Sequence, residues 1–254
     1  MIMKILVIGD SCNDIFVYGK CERLCPEAPV PVFVPTQTKK NGGMALNVYE
    51  NLKSLGVDVD IITNKEKMNK TRYVDGKSNQ IIIRVDTNQS KFSKIKNIDR
   101  IDFSIYDAVI ISDYNKGFLD FDDIKFICNK HEMVFVDTKK IIDDSFENVF
   151  ILKLNEHEYE YNIKNNNYLD KLHDKLIITL GARGCEYKNK IYDVEKVEIK
   201  DLSGAGDTFI SSLVYKYILT NNINQSIRFA NQCSTIVVQQ KGVNRVGDFL
   251  NWII

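Results

Sequence analysis

The residues best suited to chemistry are Gly-Ala-Gly-Asp at positions 204–207. The apolar–polar alternation over 190–200 predicts a strand before them, and apolar residues at helical spacing from Phe209 to Ile218 predict a helix after them. Such a turn presents unpaired backbone N–H groups and the positive end of the helix dipole, which favour an anion. Asp207 can then accept a proton from an attacking hydroxyl while the N–H groups hold a phosphoryl group. The alternative is a tight turn in which Asp207 caps the helix.

The elements that position this turn follow from the pattern of apolar runs. Runs rich in β-branched residues predict strands, and the runs after residue 106 alternate with predicted helices at 121–129 and 156–161. This alternation predicts a mostly parallel sheet covered by helices on both faces. The predicted strands of this sheet lie at 4–8, 57–63, 108–112, 133–136, 149–154 and 176–180.

The first strand ends in residues that suit substrate contact. Ligands bind at the carboxyl ends of parallel strands, so Asp10 and Asp14 are candidates, although Asp10 is equally suited to capping the next turn. Gly42 and Gly43 then open a predicted helix over 44–55 that carries Asn47. The two glycines indicate either close approach of the backbone to a ligand or a purely structural hinge.

Four strand-like pieces fall outside the main alternation, at 15–18, 30–34, 72–74 and 81–85. Three prolines within 26–31 exclude a central strand or a helix interior there. We therefore expect one domain over 1–254 with a small β flap, or lid, formed by about 15–37 and 72–86. One apolar face of this lid, on which we expect Phe16, Phe33 and Ile82, has nothing in the chain to cover it, which predicts a homodimer joined through the lids.

Two further constellations follow later strands. Asn155 and Glu158 lie three residues apart and can hold water around Mg²⁺, or can equally cap the helix that they begin. Thr179, Gly181 and Gly184 follow the next strand and are a weak nucleotide signal, for which a plain turn is the alternative.

The composition excludes several classes of protein. Lys+Arg and Asp+Glu balance at 34 each, so no net field attracts nucleic acid or anionic lipid. No apolar run approaches the roughly 20 residues of a membrane span. The six cysteines form no framework of pairs, which favours free thiols in a reducing cytoplasm over a zinc site at Cys21 and Cys25.

The stretch 201–209 resembles the D-x-T-G-A-G-D signature of the ribokinase-like (PfkB) sugar kinases, with Ser203 in place of the usual Thr. The resemblance implies a three-layer α/β/α fold and an ATP- and Mg²⁺-dependent phosphotransferase. It implies that Asp207 is the catalytic base and that the backbone of Gly204, Ala205 and Gly206 forms the anion hole. It also implies roles for Asn155 and Glu158 at Mg²⁺ and phosphate, and it places the nucleotide along Thr179, Gly181, Gly184, Asn231 and Gly242.

Other runs are similar to the heptose-phosphate kinase branch of that family: R-L-C-P-E-A-P-V-P at 23–31, S-D-Y-N-K-G at 112–117, and Asn79-Gln80 with Arg84 and Asp86. The branch makes precursors of lipopolysaccharide or capsule. The resemblance implies D-glycero-D-manno-heptose 7-phosphate as substrate, phosphorylated at O1. It places the sugar near Asp14, Gly42, Gly43 and Asn47, and it leaves Arg23, Arg72, Arg84 and Lys116 as cations for the phosphate of the sugar.

The chain also departs from the branch. Thr138 replaces the Pro of a D-P-K run, the stretch after Thr63 is shorter by about one helix–strand unit, and we expect no nucleotidyltransferase domain after Trp252. Two other functions therefore stay open. One is a kinase of another sugar or of a nucleoside, and the other is a catalytically silent sugar-binding protein of the same fold.

Overall fold

A computed structural model describes residues 3–88 and 91–252. Its larger sheet has eight strands in the order β12-β11-β10-β9-β8-β7-β1-β4. The six strands from β10 to β4 run parallel, while β11 and β12 pair antiparallel at one edge. The strands are β1 Lys4–Gly9, β4 Asp58–Thr63, β7 Ala108–Asp113, β8 Val134–Thr138, β9 Ile151–Asn155, β10 Leu176–Thr179, β11 Cys185–Tyr187 and β12 Lys190–Tyr192.

Helices cover both faces of this sheet. Successive residues of a strand point to opposite faces, so each buried strand presents apolar side chains to the helices on both sides. Alternate residues of β1 and β7 pack with α1 (Ala45–Ser54), α4 (Ala205–Thr220) and α5 (Ile223–Val237). The intervening residues pack with α2 (Phe121–Lys130), and α3 (Glu156–Asn165) contacts β9 and β10. The fold is therefore α/β with a mostly parallel central sheet, as predicted. Among the described helices, none combines the length and apolarity that crossing a bilayer demands.

The lid is a separate four-stranded sheet in the order β3-β2-β5-β6. It consists of β2 Ser11–Leu24, β3 Pro31–Met44, β5 Asn69–Asp75 and β6 Ile81–Thr87. The β2–β3 hairpin is longer than predicted and includes Gly42 and Gly43, which pair with Asn13 and Cys12. The glycines thus end a strand, and the following helix begins at Ala45.

Two predictions about local structure were wrong. The strand predicted over 190–200 ends at Tyr192, and residues 193–199 have no regular structure. Among residues 3–88 and 91–252, no strand lies beyond β12 to pair with them, and Val194, Val197 and Ile199 instead line a cavity. Phe16, expected on the uncovered face of the lid, is buried at 1% exposure beneath the guanidinium of Arg72.

Candidate active site

The glycine turn lies where α4 begins. Gly204 is the N-cap and has φ 81°, a left-handed conformation that glycine adopts without strain. A Cβ at this position would lie 2.6 Å from Nδ2 of Asn47. Gly206 and Asp207 lie in the first helical turn, where backbone N–H groups have no acceptor within the helix. The turn therefore has the donors that an anion site requires.

Asp207 is buried at the base of this turn, and both of its carboxylate oxygens are bonded. Asn47 on α1 donates from Nδ2 to Oδ2 at 2.8 Å, and the hydroxyl of Tyr114 donates to Oδ1 at 3.0 Å. Burial raises the pKa of Asp207 to about 6, although the two hydrogen bonds oppose the increase. The carboxyl group is thus ionised at neutral pH and is close to the range in which a general base works well.

A buried ammonium lies beside the turn. Lys153 on β9 is 4% exposed, and its Nζ lies 2.9 Å from Oδ2 of Asp137 at the end of β8. Burial opposes its charge, but the carboxylates of Asp137 and Glu158 outweigh burial and raise its pKa. A Cβ on Gly206 would lie 3.1 Å from Nζ. The site therefore has a fixed positive charge against the glycine turn.

A cavity of about 720 Å³ opens above the turn. Its walls include most residues that the sequence analysis associates with the nucleotide: Asn155, Glu158, Thr179, Gly181, Gly184, Gly204, Ala205, Gly206, Asp207 and Asn231. Gly242 is not in the wall; its N–H donates to Oδ2 of Asp201 at 3.1 Å. Gly184 also has a structural reason to be glycine, because a Cβ there would lie 2.0 Å from the carbonyl oxygen of Tyr192.

The two aspartates after β1 have different surroundings. Asp14 forms an ion pair with Arg72, at 2.5 Å between Oδ1 and Nη1, and a Cβ on Gly43 would lie 2.4 Å from Oδ2. Asp10 is 1% exposed and accepts backbone N–H groups from Tyr114 and Lys116 through Oδ2. Asp10 therefore holds a neighbouring loop, whereas Asp14 lies beside the glycines of the lid.

A family model for the pfkB family of carbohydrate kinases matches residues 62–247, a range that includes the Asp207 turn, Lys153 and most of the cavity wall. The chain belongs to this family. It is a phosphotransferase that acts on carbohydrates, and the family consists of ATP-using enzymes.

The kinase is 30% identical over 293 residues to the bifunctional protein HldE of Helicobacter acinonychis, and 31% identical over 291 residues to that of a Nitratiruptor species. Each match covers 94% of this chain but only 63% and 62% of the relative, so the chain spans less than two thirds of their length. The structure of Arabidopsis thaliana ribokinase complexed with ribose and ATP covers 100% of this chain and 99% of that one, with TM-score 0.69 and 15% identity. The fold is therefore ribokinase-like.

Asn155 and Glu158 of the kinase form a capping box. The side chain of Asn155 accepts the N–H of Glu158 at 2.8 Å, and Oε2 of Glu158 accepts the N–H of Asn155 at 2.8 Å. Oε1 of Glu158 lies 3.5 Å from Nζ of Lys139. The capping alternative is thus observed, and Oε1 of Glu158 takes no part in the capping box.

Asn155 and Glu158 can hold a magnesium ion only if water and phosphate oxygens supply its other ligands. Among residues 3–88 and 91–252, no group of three His, Cys, Asp or Glu side chains is placed to hold a metal. Mg²⁺ in kinases uses one or two carboxylates and keeps waters and substrate phosphates as its other ligands. Glu158 and Asn155 can supply one such contact, direct or through water, and the ion when bound would neutralise phosphate charge.

The cations of the kinase are arranged differently from the expectation for the sugar phosphate. Arg72 is paired with Asp14, Arg84 forms two hydrogen bonds with Asp86, and Arg23 is exposed near the lid tip. Lys70 on β5 and Lys139 after β8 instead converge on one aromatic ring, with Nζ 5.2 and 4.9 Å from the centroid of Tyr114.

Four residues of the candidate site were not predicted from the sequence: Lys70, Tyr114, Lys139 and Lys153. For Lys153 a signal existed: a lysine within the apolar run Ile151 to Leu154 needs a buried partner. Tyr114 and Lys139 follow strand tips, where ligand-binding side chains concentrate. Lys70 had no signal, because its position depends on how β5 pairs with β2.

Proposed function

We propose that the kinase transfers the γ-phosphoryl group of ATP to a hydroxyl of a sugar phosphate, with D-glycero-D-manno-heptose 7-phosphate, phosphorylated at O1, as the acceptor. The observation that carries the proposal is Asp207, a buried carboxylate with a raised pKa, placed in the first turn of a helix that begins with glycine. The branch-specific runs at 23–31 and 112–117 support the choice of acceptor.

In the proposed reaction each residue near the turn has one task. Asp207 removes the proton from the acceptor hydroxyl as that oxygen attacks phosphorus in line. The N–H groups at 204–206 and the ammonium of Lys153 stabilise negative charge on the phosphoryl oxygens. The sugar lies beneath the lid and is oriented by Asp14, Gly42, Gly43 and Asn47.

Release of ADP by the purified kinase tests the acceptor class. The panel should contain heptose 7-phosphate, the free heptose, ribose, fructose 6-phosphate and a set of nucleosides. We expect kcat/KM for heptose 7-phosphate to exceed that for any unphosphorylated acceptor by about 100-fold or more, because charge-assisted hydrogen bonds to the phosphate are lost without it. Preference for a nucleoside or a free sugar would assign another acceptor. No ADP release with any acceptor would support the catalytically silent alternative.

Lys70 is our first candidate for binding the phosphate on the sugar. It lies on the lid strand β5, and no ion pair of the described residues includes it, whereas Arg72 and Arg84 already have carboxylate partners. Lys70→Met should raise KM for the sugar phosphate about 10-fold or more, because one charge-assisted hydrogen bond is lost. KM for an unphosphorylated sugar should not change. Arg84→Met serves as the control, and an equal effect of both variants on KM would contradict the role of Lys70.

We also propose that the lid belongs to a single catalytic domain and joins two copies of the kinase. The edge strand β6 exposes Ile81, Ile83 and Val85, at 47%, 55% and 39%, and no strand of the described residues pairs with its outer edge. Ile83→Glu should convert a dimer to a monomer in light scattering at tens of micromolar. Lys77→Glu, in the turn before β6, is the control. A monomeric wild-type protein at that concentration would refute the dimer.

A further inference from the structure

The side chain of Tyr114 connects three parts of the kinase. It follows β7, its hydroxyl donates to Oδ1 of Asp207 at 3.0 Å, and its ring lies beside the ammonium groups of Lys70 and Lys139. Burial and the charge of Asp207 raise its pKa well above the ordinary value, so the hydroxyl keeps its proton. Tyr114 is therefore a hydrogen-bond donor to the carboxylate throughout the neutral range.

The loop that carries Tyr114 is fixed by buried carboxylates. Oδ2 of Asp10 accepts the N–H groups of Tyr114 at 2.8 Å and Lys116 at 3.1 Å, and Oδ1 of Asp113 accepts that of Asn115 at 3.0 Å. Asp10 and Asp113 are each 1% exposed. Burying a carboxylate is costly unless it is well bonded, so two of them fix this backbone firmly.

Asp207 is held from both sides. Asn47 on α1 binds Oδ2, and Tyr114 on the opposite side binds Oδ1. Donors on both oxygens prevent rotation of the carboxylate about its Cβ–Cγ bond. They also leave a fixed set of lone pairs for the incoming proton.

We propose that Tyr114 is a positioning residue for the base: its hydroxyl sets the orientation of the Asp207 carboxylate and favours the ionised form. The inference rests on the proposed role of Asp207. Among the described residues, other titratable groups close enough to Asp207 to interact with it electrostatically include the carboxylate of Asp137, the ammonium of Lys153 and the thiol of Cys12. None of these three donates a hydrogen bond to Oδ1, so removal of the Tyr114 hydroxyl leaves that oxygen without its donor.

Tyr114→Phe isolates the hydroxyl, because it keeps the ring beside the ammonium groups of Lys70 and Lys139. A hydrogen bond to the ionised form lowers the pKa of a carboxyl group, so its loss raises the pKa of Asp207 above its value of about 6. We expect the acid limb of the kcat/KM profile to move upward by about one pH unit, which by itself lowers the ionised fraction at pH 7 about 2-fold. Loss of the orienting hydrogen bond should bring the total fall in kcat at pH 7 to about 10-fold, with KM for ATP unchanged.

Tyr106→Phe is the matched control. Its hydroxyl also donates to a carboxylate, Asp60, at 2.9 Å, and Nζ of Lys4 lies 5.4 Å from its ring, but it precedes β7 at the other end of the strand. This variant should leave the pH profile unchanged. An equal change in both variants would mean that the effect comes from a general loss of protein stability, and it would overturn the proposal.

A carbon-13 NMR titration of aspartate-labelled protein tests the inference without any substrate. The Asp207 signal is assigned by its disappearance in Asp207→Asn, and its midpoint should rise in Tyr114→Phe. Incorporation of 3-fluorotyrosine at position 114, a stronger donor of nearly the same shape, should lower the midpoint of the Asp207 titration. This substitution replaces Tyr114→Phe as the test if that variant does not fold. An unchanged midpoint refutes the role of Tyr114, whereas failure of wild-type ADP release refutes only the proposed function.

Discussion

Asp207→Asn should lower kcat by about 10²–10⁴-fold and leave the affinity for ATP nearly intact, because a positioned base contributes on that scale. The variant keeps the size of the side chain but cannot take a proton. It also places an amide where Asn47 and Tyr114 both donate, so one of these donors loses its acceptor. Steady-state ADP release, with nucleotide binding followed by calorimetry, separates the loss of kcat from a loss of binding.

Asp201→Asn is the matched control for this prediction. Asp201 precedes the same turn and, like Asp207, accepts a hydrogen bond on each carboxylate oxygen, but its donors are the backbone N–H groups of Ser203 and Gly242, and it does not line the cavity. We expect its kcat to fall less than about 10-fold, since it supports the turn without contacting reactants. If Asp207→Asn retained most of its kcat, or if both variants lost the same amount, another group would have to be the base.

Lys153→Met should reduce both activity and stability. The substitution leaves the Asp137 carboxylate buried without its partner, and breaking a buried ion pair in this way costs about 3–5 kcal/mol. It also removes the positive charge beside the glycine turn, so kcat should fall by about 100-fold or more, as the loss of one transition-state contact does. Chemical denaturation and ADP release at saturating substrate measure the two effects.

A second buried pair separates these effects. Nζ of Lys140 lies 3.0 Å from Oδ2 of Asp113, and this pair is as deeply buried as Lys153 and Asp137, but Lys140 does not line the cavity. Lys140→Met should lose similar stability with a much smaller loss of kcat. The double variant Lys153→Met with Asp137→Asn removes both charges and should recover stability without recovering activity. Recovery of activity in the double variant would contradict a role for Lys153 in phosphoryl transfer.

The parts of the fold that the sequence predicted are those in which local pattern and burial agree. Apolar runs such as Ile5 to Ile8 and Val109 to Ile111 are buried on both faces of the sheet and are strands. Residues 193–199 have an alternating pattern but form no strand, because no strand in the part of the chain that the structure describes lies beside them, and their apolar and polar side chains alike line a cavity. Pairing partners are not visible in a local pattern.

The candidate site shows the same difference between features that are local in sequence and features that depend on distant segments. The turn at Gly204 and the helix that carries Asp207 were predicted because they are local in sequence, and the catalytic role of Asp207 stays a prediction. Tyr114 and Lys70 were missed, since their proximity to the base depends on contacts between distant segments. Arg72 and Arg84 were assigned to a phosphate, but nearby carboxylates already pair with them.

The positions of the four lid strands along the sequence have a consequence for the order of folding. Strand β2 pairs with β3 as a hairpin, but it pairs with β5 only across a separation of 56 residues, from Asn13 to Asn69. Strand β4 and helix α1 lie within that interval, and only residues 64–68 separate β4 from β5. Pairing across long separations has a high entropic cost and forms late. Strand β1 pairs with β4 across a similar separation, from Lys4 to Asp58, so we expect the β5–β6 half of the lid, and with it the proposed sugar site, to form together with the β1–β4 pair. In native-state hydrogen exchange, the amides of β5 should then open together with those of β4, before the amides of β7 and β8.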